Sequence, residues 1–179
     1  MKLIAVCSVL ILLLTQCSNS NSQTAQTVTT TKQTMETKNP YYSHTDTNTL
    51  DVSNDEWKKV LPDDVYQIMR LKQTERAFTG KYWETETQGN YYCASCGNHL
   101  FKSTSKFSSS CGWPSFFEQL NSKSVVFERD TSYGMIREEA LCGRCGGHLG
   151  HRFDDGPPPT NMRYCMNSIA LDFVPDTVK

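Results

Sequence analysis

Hydrophobic and polar positions divide the chain into three textures. Residues 3–14 form an uncharged, largely apolar run behind Lys2, and residues 18–48 carry Ser, Thr, Asn and Gln with almost no aliphatic side chain. Folding signals begin at Ser53. Ser53-Asn54-Asp55-Glu56 supplies an N-cap and an acidic first turn, and Trp57, Val60 and Leu61 can face a core from the short helix that follows. Pro62-Asp63-Asp64 starts a second helix, with Val65, Ile68, Met69 and Leu71 at helical spacing. After Gly80 the apolar positions fall into short runs rich in aromatic and β-branched residues: Lys81-Tyr82-Trp83, Asn90-Tyr91-Tyr92, Val125-Val126-Phe127-Glu128, Gly134-Met135-Ile136-Arg137 and Ser168-Ile169-Ala170-Leu171-Asp172-Phe173. Turn-forming residues bound each run, which predicts a mainly β domain of antiparallel strands with short helices on its N-terminal side. Gly156-Pro157-Pro158-Pro159-Thr160 reads as a rigid loop, because no central strand tolerates it.

The run 3–14 is too short to cross a bilayer comfortably and fits the core of a secretory signal. With Leu14-Thr15-Gln16-Cys17 after it, the segment resembles a bacterial lipoprotein signal, although Gln16 stands where such signals usually have a small residue. The resemblance implies a signal over 1–17, a lipid on Cys17 and a place in the cell envelope, lipid-anchored or periplasmic. An ordinary cleaved signal or an uncleaved anchor is the alternative. Residues 18–50 read as a flexible tether, Tyr41, Tyr42 and His44 included, because their composition cannot bury enough apolar surface to offset the entropy of ordering. The folded domain is then 51–179. A net charge of −1 offers no bulk electrostatic case for nucleic acid, the membrane is met only through the N-terminal lipid, and a monomer is expected.

Setting aside Cys7 and Cys17, six cysteines remain. Four form Cys93-Ala94-Ser95-Cys96-Gly97 and Cys142-Gly143-Arg144-Cys145-Gly146. A two-residue gap lets both sulfurs of a pair face one ion, and the glycine permits a tight turn. Two such knuckles supply the four ligands of a closed, structural Zn²⁺ site. Two disulfides, or redox pairs of thioredoxin type, are the competing readings.

Cys111 and Cys165 are left over. In Arg163-Tyr164-Cys165-Met166-Asn167-Ser168 an extended backbone points Arg163, Cys165 and Asn167 to one face. A guanidinium beside a thiol favours the nucleophilic thiolate; a buried packing cysteine is the alternative. Cys111 sits in Ser110-Cys111-Gly112-Trp113-Pro114-Ser115-Phe116, and a plain Cys111–Cys165 disulfide is as consistent with these residues as catalysis. Gly147-His148-Leu149-Gly150-His151-Arg152-Phe153-Asp154-Asp155 begins at the second knuckle, so two histidines would be held there as proton donors. A second metal site of His148, His151 and Asp155 is the competing use.

Together these motifs, with Thr74-Glu75-Arg76 and Gly80-Lys81-Tyr82, resemble the B-type peptide methionine (R)-S-oxide reductases from about residue 55 to 173. Ser110, Ala77 and Asp154 depart from the residues common in that family. The resemblance implies a zinc-stabilised antiparallel β fold of Mss4-like, β-tent type. It implies Cys165 as nucleophile and Cys111 as resolving thiol, with His148, His151, Asp155, Arg163 and Asn167 around them, and Trp113 and Phe116 contacting substrate. Its substrates would be oxidised proteins or peptides containing methionine sulfoxide, its product methionine, and its partner a thioredoxin-like reductant. A Cys-His hydrolase and a non-catalytic zinc-ribbon binding module are the readings from other classes.

Overall fold

Ser53 caps the first helix, α1 (Asn54–Val60), by accepting a hydrogen bond from the Glu56 N–H, and Trp57 buries itself completely from that helix. Pro62 stands at the start of α2 (Asp63–Met69), which buries Tyr66, Ile68 and Met69. The computed structural model describes residues 39–177, which lie in one compact unit. The signal 1–17, Cys7, Cys17 and the tether as far as residue 38 fall outside the described residues.

Nine strands follow the helices among the described residues: β1 (Gly89–Cys93), β2 (His99–Lys102), β3 (Lys106–Phe107), β4 (Ser115–Phe116), β5 (Val125–Asp130), β6 (Arg137–Cys142), β7 (His148–Phe153), β8 (Arg163–Met166) and β9 (Leu171–Pro175). They form a three-stranded sheet ordered β2-β1-β9 and a six-stranded sheet ordered β3-β4-β8-β7-β6-β5, antiparallel throughout. The aromatic residues explain why the sheets pack face to face. Phe101 of β2 stacks on Phe116 of β4 with ring centres 4.2 Å apart, and Tyr91 of β1 meets Phe116 edge-on at 4.9 Å. Alternation along β8 sends Tyr164 and Met166 into this core and leaves Cys165 on the opposite face.

Register across that opposite face sets the site. Ser115 of β4 and His151 of β7 lie directly opposite Cys165, and Glu139 of β6 lies opposite His151. Directly paired residues share a face, so one row of side chains crosses four strands. β7 and β8 come so close that a Cβ on Gly150 would collide with the Cys165 carbonyl oxygen. Glycine there brings His151 and Cys165 together.

Residues 39–50 do not behave as the expected tether. Ser43 N–H donates to the Cys96 carbonyl and Leu50 N–H to the Arg144 carbonyl, so the segment bonds to both cysteine knuckles. Buried Arg144 answers by donating to Tyr41 O and Asn48 O and pairing with Asp46 at 2.6 Å. Tyr41 packs edge-on against Trp57, Tyr42 donates to Asp172, and His44 stacks on Tyr92 at 3.9 Å. A polar stretch can be ordered in this way because its partners are backbone carbonyls and aromatic faces rather than an aliphatic core. Gly97, at φ +74°, lets the Ser43 backbone approach where a Cβ would crowd its oxygen.

The strand expectations hold for Asn90–Tyr92 and Val125–Glu128, which sit inside β1 and β5. Lys81-Tyr82-Trp83 forms turns instead, residues 134–136 belong to a loop, and the C-terminal strand begins at Leu171, after a single helical turn at Ser168–Ala170.

Candidate active site

Two sulfur clusters dominate the described residues. In the first, Cys93, Cys96, Cys142 and Cys145 are buried with all four Sγ atoms within 4.8 Å of one another. The Cys93–Cys145 and Cys96–Cys142 separations are 3.7 and 3.6 Å. Disulfide sulfurs lie about 2.05 Å apart, so these are not bonded pairs. Sulfurs about 2.3 Å from a shared tetrahedral ion would lie about 3.8 Å from each other, so the donor set fits a structural metal site. Gly97 and Gly146, both with positive φ, close the two knuckles as their position after each second cysteine predicts.

In the second cluster, Cys111 and Cys165 approach to 3.3 Å between sulfurs. Cys111 comes from the turn between β3 and β4, where Ser109 Oγ lies 2.9 Å and Ser115 Oγ 3.4 Å from its sulfur. The two thiols shift each other's ionisation in opposite directions. The hydrogen bond with Cys165, aided by the two serine hydroxyls, lowers Cys111 to about 4 against the opposing effect of burial. The same hydrogen bond, together with burial, holds Cys165 well above the ordinary thiol range, and Arg163 opposes that rise.

Position separates the two sulfurs. Cys165 lines a cavity of about 110 Å³, and Cys111 does not. Trp113 and Phe153 give this cavity an apolar wall, while Thr74, Arg137, His151 and Asn167 give it a polar one. Trp113 is aimed by its indole N–H, which donates to the Glu75 carbonyl. Asn167 is fixed by donating to Leu149 O and accepting from the Glu75 N–H. The buried Glu75 carboxylate accepts from the N–H groups of Ser168 and Ile169, tying the Thr74-Glu75 turn to the end of β8.

The two histidines are held by different carboxylates. His151 pairs through Nε2 with Asp130 at 2.8 Å, and Asp130 also accepts from Arg137 at 2.6 Å and from the Ser132 N–H at 2.8 Å. The bonds from Ser132, then those from His151 and Arg137, hold Asp130 well below the usual carboxylate range. His148 is buried behind His151, with ring centres 5.6 Å apart and Nδ1 2.8 Å from Glu139, whose other oxygen pairs with Lys72 at 2.7 Å. Burial lowers the His148 pKa, so the ring is neutral near pH 7. Its Nδ1–H faces Glu139, which leaves Nε2 as an acceptor.

Cys165, His151, Asn167 and Trp113 therefore lie at one cavity, whereas several other candidate residues lie elsewhere. Phe116 lies in the core between the sheets, because β4 points Ser115 toward the site and Phe116 away from it. Asp155 is not a donor at the cavity and shares no metal site with the histidines. Its carboxylate takes a two-point grip on Arg163, at 2.8 Å for both bonds. Arg163 in turn lies over the Phe153 ring at 4.3 Å and acts on Cys165 through charge. His148 faces Glu139 rather than the cavity. Sequence reasoning does not single out Glu75, Asp130, Arg137, Glu139, Phe153 or the two serines as site residues. Of these, Glu75, Ser115 and Phe153 carry a signal, their places within the motifs Thr74-Glu75-Arg76, Ser110–Phe116 and Gly147–Asp155.

Over residues 61–175 the chain matches the SelR domain family. The peptide methionine sulfoxide reductase MsrB of Pseudomonas savastanoi pv. phaseolicola is 57% identical over 121 residues, covering 68% of this chain and 92% of that protein. The protein of the same name from Thiobacillus denitrificans is 54% identical over 120 residues, 67% of this chain and 91% of that one. That of Pseudomonas fluorescens is 52% identical over 126 residues, 70% and 97% respectively.

A lowered thiol pKa means thiolate is present above it, so the pair should be singly ionised throughout the neutral range. Alkylation of its first sulfur by iodoacetamide should stay level between about pH 6 and about pH 8, where a free cysteine of pKa about 8.5 speeds up nearly tenfold per unit. A rate that climbs in step with free cysteine would show that the two sulfurs do not shift each other's ionisation in this way.

Proposed function

Since the chain belongs to the SelR domain family, that of the peptide methionine sulfoxide reductases MsrB, we propose that it reduces peptide-bound methionine (R)-S-oxide to methionine through Cys165 and Cys111. The observation that carries this reading is a nucleophile at the edge of a cavity of side-chain size with a second thiol 3.3 Å from it.

Cys165 attacks the sulfoxide sulfur as its proton passes within the thiol pair. The oxygen passes from the methionine sulfur to the Cys165 sulfur and takes up a proton as the S–S bond made on attack and the S–O bond to methionine both break. Methionine leaves, and Cys165 is left as a sulfenic acid. Trp113 and Phe153 suit the methyl side of the sulfoxide, and His151 and Asn167 suit its oxygen. His151, oriented by Asp130, is the group best placed to move protons to that oxygen. Cys111 then attacks the sulfenic sulfur, water departs with the oxygen, and a Cys111–Cys165 disulfide remains. A dithiol protein of thioredoxin type restores both thiols by exchange. A hydrolase would acylate Cys165 and have no use for a second sulfur so near.

The four-cysteine group is the site for Zn²⁺. With every position filled by thiolate, the ion's contribution is structural. Envelope placement, with Cys17 as the lipid site, rests on the sequence of residues 1–17 alone.

The purified protein, incubated with each epimer of a blocked methionine sulfoxide, should reduce the R form catalytically with dithiothreitol and about once per chain without it. Turnover of the S form, or of esters instead of sulfoxide, would contradict the assignment. Elemental analysis should find one zinc per chain, and Cys93→Ser or Cys142→Ser should lose both the metal and the soluble fold, since binding at such a site is folding free energy. A metal-free protein with an unchanged melting temperature would refute the zinc site.

A further inference from the structure

The cavity at Cys165 is one part of a connected trough. It adjoins a cavity of about 990 Å³, with which it shares Thr74, Arg137 and His151, and one of about 520 Å³, with which it shares Arg137 and Phe153, and these two also meet each other at Glu128 and Arg129. Arg137 borders all three. Its buried Nε–H has no partner among the described residues.

The loop 131–136, joining β5 to β6, stands beside this trough. Tyr133 borders the larger flank and is 91% exposed; Ile136 borders the smaller flank and is 73% exposed. Met135 between them is 45% exposed. Scattered apolar side chains on a surface are ordinary, but these cluster within four residues, and two of them line the cavities that adjoin the one at Cys165. Tyr133 also adopts φ +53°, a left-handed conformation that a bulky residue rarely takes. Residues held in such conformations concentrate at functional sites. The Asp130 carboxylate anchors the base of the loop: it accepts from Ser132 N–H in the loop, from Arg137 at its far end and from His151 in the cavity. One side chain thus fixes the loop and the site together.

Resting on the proposed reduction, we infer that this loop is a docking rim for an extended polypeptide, with apolar side chains beside the oxidised methionine seated on Tyr133 and Ile136. A central cavity of about 110 Å³ has room for one side chain and not for the surface of a folded protein. The chain on either side of the sulfoxide must therefore lie along the flanks, and it meets the rim there. The free Nε–H of Arg137 is a donor for a main-chain carbonyl of that segment.

The test uses dithiothreitol as reductant and three substrates: a blocked methionine (R)-sulfoxide, a short peptide with leucine on both sides of the sulfoxide, and the same peptide with serine on both sides. In the double variant Tyr133→Ser/Ile136→Ser, KM for the leucine-flanked peptide should rise about fivefold with kcat unchanged. The other two substrates and the melting temperature should not move. Equal losses on all three substrates, or an unchanged KM for the leucine-flanked peptide, would overturn the rim. So would a defect that shows only when a protein dithiol replaces dithiothreitol, since that assigns the surface to the reductant. Wild-type protein that reduces none of the three overturns the proposed function and the rim with it. Wild-type protein that reduces them all while the variant keeps its peptide KM overturns the rim alone.

Discussion

Four sulfurs gathered within 4.8 Å in a buried space are the constraint on which this fold depends. Cys93 ends β1 in the smaller sheet and Cys142 ends β6 in the larger one, so the cluster joins the two sheets at their ends. Thiolates crowded together away from water repel one another unless a cation lies among them, which makes the cluster the feature least tolerant of change. Its influence reaches the chemistry through sequence proximity. β7 begins three residues after Cys145 and carries His148 and His151, and β8 pairs with it to set Cys165 opposite His151. The segment 39–50 binds the outer side of both knuckles through Arg144, so the part of the chain before the matched family region reinforces the same junction.

The reactive pair draws on different physics. Proximity of the two thiols, with Ser109 and Ser115, is the main influence on where negative charge sits within the pair, and Arg163 adds to it by favouring the charged form of Cys165. Arg163 is largely occupied by Asp155 and by the face of Phe153. It works at a distance to moderate the cost of charge at Cys165. Carboxylates organise the rest. Asp130 aims His151, Glu139 fixes the tautomer of His148, and Glu75 holds the turn from which Trp113 takes its bearing.

Much of this is legible in the amino-acid sequence. The paired knuckles, the two helices with their Ser53 cap, and the alternation that turns Cys165 toward the site all follow from spacing and residue type. What is not legible has physical reasons. β6 and β7 are written in Arg, Glu, His and Gly because one face of each is the site, and such residues do not look like strand formers. Phe116 stands near Trp113 in sequence and so suggests a substrate contact, whereas the period of a strand sends neighbours to opposite faces. Asp130 and Glu139 lie on strands other than the one that carries the histidines they hold, and become visible only once β5, β6 and β7 are paired. The tether expectation fails over 39–50 because composition predicts aliphatic burial and says nothing of hydrogen bonds to unpaired carbonyls.

The division of labour between the two sulfurs is the central claim, and single-turnover measurements on Cys165→Ser and Cys111→Ser, without reductant, test it most directly. Cys165→Ser should release no methionine, because a serine hydroxyl is a far poorer nucleophile near neutral pH. Cys111→Ser should release about one methionine per chain and then stall with a sulfenic acid on Cys165 that dimedone traps. Methionine release by Cys165→Ser, or a Cys111→Ser protein inactive in its first turnover, would contradict the account.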